Sequence, residues 1–166
     1  MMLKLSKRRP RAFLLASLFI VVGIAKAGAG GPPVPDPMDL ITLVRQSVLA
    51  VDIGNKTGDY SALSAMGSAD FQAQNPGAAL ASHFAKLRAA GVDLAAAGTI
   101  MPQTTRPPTL DANGLLRILG YFEFPDRQIV YDLLYTYDDP AKLWRLAGMS
   151  IEPRELPPQP ELIQPR

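Results

Sequence analysis

From residue 37 to about residue 53, apolar side chains fall at Leu40, Ile41, Val44, Val48 and Val51, while Asp39, Arg45, Gln46 and Asp52 fall elsewhere. That three-and-four spacing predicts a helix with one buried face. Asp36 before Pro37 supplies an N-cap followed by proline at the first helical position. Gly58 and Asp59 then read as a stop and a new cap, opening a short second helix in which Tyr60, Leu63 and Met66 recur every three residues. A third helix is predicted over 75–91: Asn75 caps it, Pro76 opens it, Leu80, Phe84 and Leu87 form its stripe, and Gly91 closes it.

From about residue 92 the helical rhythm gives way to alternation and to β-branched and aromatic residues, the pattern of a sheet. The stretch 98–110 carries Pro102, Pro107 and Pro108, each without a ladder donor, so a broken or edge strand is expected there. Asp111-Ala112-Asn113-Gly114 is a turn signal into a strand over 115–124. A turn around Pro125-Asp126-Arg127 leads to a strand over 128–137, and Asp138-Asp139-Pro140 leads to one over 142–152, where Gly148 permits a bulge.

The ends of the chain change what its charge means. Lys4, Lys7, Arg8, Arg9 and Arg11 precede an apolar run from Ala12 to Ala25 and an Ala25-Lys26-Ala27 cleavage pattern, which predicts a signal peptide over 1–27. That run is shorter than the roughly 20 residues needed to span a bilayer, so export is expected and contact with the membrane only during it. The whole chain is formally +2, but six of its 17 basic residues and none of its 15 acidic ones lie in 1–27. Eleven basic against fifteen acidic residues remain, a net charge of −4 with no basic stripe, which removes the support for nucleic-acid binding. There is no cysteine, hence no disulfide, thiol catalysis or lipid-modified cysteine, and the single histidine rules out a His-rich metal site. The expected organisation is a signal peptide (1–27), a linker (28–36), one domain (37–152) and a Pro-rich extended tail (153–166). The periplasm is the expected destination, with secretion as the alternative.

A helix, a short helix and a helix followed by an antiparallel meander, with Gly58-Asp59-Tyr60 opening the second helix, the Asn113-Gly114 turn, and Trp144-Arg145-Leu146-Ala147-Gly148 closing the sheet, resembles the nuclear-transport-factor-2-like (cystatin-like α+β cone) superfamily. The resemblance covers roughly residues 37–152. It implies an α+β fold in which three N-terminal helices pack on a curved antiparallel sheet of three to four strands. It also implies a pocket at the open end and frequent dimerisation through the outer sheet face. Members include isomerases, dehydratases, cyclases and many non-catalytic binding domains, so the fold alone does not select a function.

Candidate chemistry is sparse. His83 lies on the flank of the third helix's buried stripe, where a pocket acid or base, or a boundary histidine, is expected. Asp132 interrupts the apolar run Ile129 to Tyr135, and the hairpin register decides its direction. An even turn, the preferred register, places Ile118, Phe122, Tyr131, Leu133 and Tyr135 on one face and Asp132 on the other, beside Arg117 or Arg145. An odd turn places Asp132 among the apolar residues, where desolvation would suit it to general-base work. Tyr131, Tyr135 and Tyr137 fall at alternating positions and so face the same way, as Phe122 and Phe124 do on the neighbouring strand in the even register, forming an aromatic wall able to hold a flat apolar ligand or to be packing. Trp144 is expected as core or pocket floor.

The expected ligand-binding residues are therefore Tyr131, Tyr135, Phe122, Trp144 and His83. Asp132 and His83 are the only catalytic candidates, and no metal or cofactor is expected. Asp93 and Asp111 read as ordinary helix-end and turn carboxylates, and Asp138 with Asp139 as too few for a cation site. The leading expectation is an exported, non-catalytic domain that binds a small apolar or amphipathic ligand or acts as an envelope interaction module. The alternatives are an isomerase- or dehydratase-like enzyme with Asp132 or His83 as base, and a structural dimer through Leu119, Tyr121, Val130 and Leu134.

Overall fold

The computed structural model describes residues 32–156. The predicted signal peptide and residues 157–166 of the tail lie outside them. Helix α1 spans Pro37–Thr57, capped by Asp36, whose carboxylate accepts from the N–H groups of Met38 and Asp39 at 2.8 Å. It runs four residues past the predicted end, to Gly58, whose φ of 78° is the left-handed conformation that closes a helix. The last turn has no apolar stripe to read. It is held instead by Lys56, which donates to Asp52 on the previous turn and to Asp93 across the fold.

Helix α2 (Ser61–Ala65) lies where expected, and Asp59 accepts from the Ser61 N–H at its start. The region of the predicted third helix differs. Helix α3 (Ala69–Gln74) precedes it, capped by Ser68 and burying a single residue, Phe71, so no periodicity marks it. Asn75 donates from Nδ2 to the Phe71 carbonyl and closes α3 instead of opening the next helix. The single predicted helix is two, α4 (Gly77–His83) and α5 (Ala85–Ala89), broken at Phe84. The stripe Leu80, Phe84 and Leu87 is buried as expected, and Gly91 ends it at φ 63°. Among the described residues the three expected helices are thus five, succeeded by a 3₁₀ turn over Leu94–Gly98.

The sheet is antiparallel and has five strands where three to four were expected. Strands β1 (Gln103–Thr104) and β2 (Thr109–Leu110) are the fragments into which Pro102, Pro107 and Pro108 cut the predicted edge strand, and both pair with β3 (Leu116–Glu123). Beyond β3 lie β4 (Arg127–Asp138) and then β5 (Leu143–Glu155). Strand β5 continues past residue 152 into the stretch read as tail, with Pro153 inside it. At its other end, the Met66–Ser68 segment lies along it: Leu146 donates to the Met66 carbonyl at 2.9 Å and accepts from the Ser68 N–H at 2.8 Å.

The β3–β4 turn holds two residues, Pro125 and Asp126, with the Phe124 N–H donating to the Arg127 carbonyl at 2.9 Å. The count is even, as preferred, but the turn sits one residue earlier than Asp126-Arg127, so Phe122 opposes Ile129. The bulge falls beside Gly148: Leu134 pairs with Gly148 and Tyr135 with Leu146, which leaves Ala147 as the extra residue. One face of the sheet, with Ile118, Phe122, Ile129, Tyr131, Leu133 and Tyr135, is buried with Val44, Val48 and Val51 of α1 and with Leu63, Phe84 and Leu94. Gly120 is required on this face, because a Cβ there would collide with the Tyr131 hydroxyl and the Gln103 carbonyl. Among the described residues no helix is long and apolar enough to cross a membrane.

Candidate functional site

The sheet has an inner face and an outer one, and the sequence-predicted residues divide between them. On the inner face, Tyr131 and Tyr135 are each 1% exposed and Phe122 is fully buried. Phe122 packs against Tyr131 with ring centroids 5.6 Å apart. The Tyr131 hydroxyl donates to the Gln103 carbonyl at 2.9 Å, tying β4 to β1 across β3. The Tyr135 hydroxyl donates to the Leu43 carbonyl of α1 at 3.0 Å and therefore accepts from Ser47 Oγ at 2.9 Å, since a phenol carries one proton. Burial pushes both phenols above their ordinary pKa, because an ionised phenolate would be desolvated there. Phe124 is buried, and Trp144 is half-buried against Tyr137 at 5.3 Å. The aromatic wall exists, but its rings and hydroxyls are engaged with the helices and the backbone.

His83 stands apart from that group. It is exposed at the end of α4, its ring edge-on to Phe84 at 4.8 Å. Asp132 lies on the outer face, as the even turn requires, so the sheet itself separates it from Tyr131 and Tyr135. Arg117, on β3, holds it in a two-pronged ion pair: Nε donates to Oδ1 at 2.8 Å and Nη2 to Oδ2. Hydrogen bonding to that guanidinium holds the Asp132 carboxyl below the usual carboxylate range, against the smaller opposing effect of desolvation. A carboxylate so held is a poor general base. Arg145, the other expected partner, pairs with Asp138 at 3.2 Å and also donates to the Ala65 carbonyl.

The remaining carboxylates are as ordinary as their positions suggest. Asp139 accepts from Lys142 across the β4–β5 turn, Asp93 from Lys56, and Asp111 from the N–H groups of Asn113 and Leu115. Among the described residues no three His, Asp or Glu side chains converge to hold a metal ion.

Among the described residues, two hollows lie on the outer face. A hollow of about 720 Å³ opens between α3 and the strands, lined among others by Asp70, Gln72 and Gln74 of the helix and by Leu134, Thr136, Asp138 and Arg145 of the sheet. A second hollow of about 330 Å³, lined by Arg117, Asp132, Leu134, Gly148, Met149 and Ser150, shares Leu134 with the first. The two hollows lie along β4 and β5 and meet at Leu134, and are called the trough below. On the β5 side their lining includes Ala147, Gly148 and Ser150, which offer little or no side chain. Each is lined by one Arg–Asp pair whose charged ends are partly exposed. None of Tyr131, Tyr135, Phe122, Trp144 and His83 lines either hollow.

The sequence pattern does not point to the α3 contribution. Asp70, Gln72 and Gln74 sit in a polar hexapeptide with one apolar anchor, and only the Ser68 cap preceding Phe71 by three residues carries a local signal. The chain matches no family model, no curated protein and no solved structure.

Proposed function

We propose that this is an exported, non-catalytic binding domain and that its ligand or partner occupies the trough on the outer face of the sheet. The observation that carries the reading is the division between the two faces. The inner face is filled by its own aromatic packing, while the outer face carries two hollows that share Leu134 and are lined by Thr136, two glutamines and two partly exposed Arg–Asp pairs. Such a lining suits an amphipathic ligand: apolar contact along Leu134 and Ala147, and hydrogen bonding to amides, hydroxyl and charged groups at the rims. The ion pairing of Asp132 and the exposure of His83 support binding rather than proton transfer as the role of the domain.

The test is native mass spectrometry of the exported protein, comparing wild type with Thr136→Trp, which fills the trough from β4 without touching the core. A bound mass of a few hundred daltons that is released on denaturation, and is absent from the variant, is the expected result. A bound mass retained by Thr136→Trp would place the ligand elsewhere and overturn the assignment of the trough.

A further inference from the structure

The open edge of β5 carries an inference separate from the trough. Because Phe124 bonds to Arg127, the odd-numbered residues of β4 turn their backbone groups to β3 and the even-numbered ones to β5. The β5 partners of those even positions, Gly148, Ser150 and Glu152, are bonded inward, so Met149, Ile151 and Pro153 turn their backbone groups to the open side. On that side Leu146 is already engaged with Met66 and Ser68. Among the described residues the N–H and C=O groups of Met149 and Ile151 have no partner. Edge strands are commonly guarded by charge or proline. Here Glu152, Pro153, Arg154 and Glu155 guard the far end, but Ala147 to Ile151 carries neither charge nor proline.

We infer that this stretch pairs with the same stretch of a second copy, antiparallel about a two-fold axis at Ser150. The register follows from the obstacles. Met66–Ser68 occupies the edge at Leu146, and Pro153 lacks a donor, so the open ladder is 147–153, whose midpoint is Ser150. In that register Met149 and Ile151 of one copy exchange bonds with Ile151 and Met149 of the other, satisfying four N–H and four C=O groups. The small residues Ser150 and Gly148 lie near the axis, and each Glu152 faces a Gly148 rather than its own counterpart. The two sheets become one, and because such an axis stands perpendicular to the sheet, both troughs open on the same side.

The experiment is sedimentation equilibrium on the exported full-length protein, with Ser150→Lys, Ser150→Glu and their equimolar mixture alongside wild type. Ser150 is directly across from its mate in this register, so like charges there weaken association by about three- to tenfold in each single variant, and the mixture re-forms a heterodimer. Met149→Pro removes the outward N–H together with a side chain packed against the core, so it is read beside Met149→Ala, which removes the side chain alone: the proline variant is expected to be monomeric and the alanine variant to associate like wild type, both folded by circular dichroism. The inference is overturned by a wild-type protein that is monomeric at about 100 μM. It is equally overturned by a dimer that the single Ser150 variants do not weaken, or by loss of association in both singles without recovery in the mixture. A wild-type monomer that dimerises only after removal of 157–166 would assign the edge to the chain's own tail.

Discussion

The two faces of the sheet are built from the same strands, yet they solve opposite problems. The inner face converts alternate residues of β3, from Leu116 to Phe122, and of β4, from Ile129 to Tyr135, into core, and it gives the hydroxyls there fixed partners: Gln103 for Tyr131, Leu43 and Ser47 for Tyr135. The outer face keeps its charges half in water, pairs them in place, and leaves small residues where the strand bulges. Alternation along a strand thus does not reveal which face carries a hollow. An aromatic face attracts attention because aromatic side chains can bind ligands, but here Phe122, Tyr131 and Tyr135 are part of the buried core. The face with fewer notable residues is the one that stays concave.

That contrast makes the inner face sensitive and the outer face tolerant. The largest effect is expected from Phe122→Ala, which empties a fully buried ring site against Tyr131 and should destabilise the domain by about 3–5 kcal/mol in denaturant unfolding. A loss below about 1 kcal/mol would mean that the inner face is not the tightly packed core described. Tyr135→Phe keeps the ring and removes the hydroxyl that joins β4 to α1, leaving Ser47 buried without its acceptor. About 1–3 kcal/mol is expected, and Ser47→Ala in the same background should recover part of it.

Alkaline pH probes the same hydroxyls without mutation. Both phenol pKa values are raised in the folded state, so their contribution is complete below the unfolded value near 10 and is lost as the pH rises above it and the unfolded chain ionises. Ultraviolet titration, with Tyr131→Phe and Tyr135→Phe to assign the signals, should show Tyr131 and Tyr135 ionising only as the protein unfolds. Ionisation of these two at the ordinary phenol pH in folded protein would show that the inner face admits water.

How much of this could be read from the chain depends on the same division. The strands, the even turn and the bulge beside Gly148 are legible because alternation and turn residues are local, and the outward direction of Asp132 follows from parity alone. Two-residue strands set between prolines, and a six-residue helix anchored by Phe71, have too few apolar positions to show a period. The break at Phe84 has no local signal either, since Leu80, Phe84 and Leu87 keep helical spacing through it. The proposed site is the least legible part, because it depends on what is missing: its hollows are lined by Ala147, Gly148 and Ser150, which fill little space, and by α3, which has no periodic pattern. Sequence motifs report the groups present, and a concavity is reported mainly by its neighbours.

The smallest effect, and the sharpest for the comparison, is expected on the outer face from Asp132→Asn. The ion pair with Arg117 is half in solvent, so its removal should change stability at neutral pH by about 1 kcal/mol or less. Its pH dependence has a defined sign. The folded-state pKa of Asp132 is depressed by the guanidinium, so the contribution is present above the unfolded carboxylate value near 3.8 and is lost as the pH falls through the folded one. Wild type and Asp132→Asn should therefore differ slightly at pH 7 and converge in strong acid. An Arg117→Gln, Asp132→Asn double-mutant cycle would isolate the coupling of the pair from other effects of either change. A coupling as large as the loss from Tyr135→Phe would make the pair a structural clamp, and the outer face would then be core-like in energy while remaining open in shape. A small coupling leaves the two side chains free to exchange each other for a ligand's polar groups at little cost, which is the property that a binding trough needs.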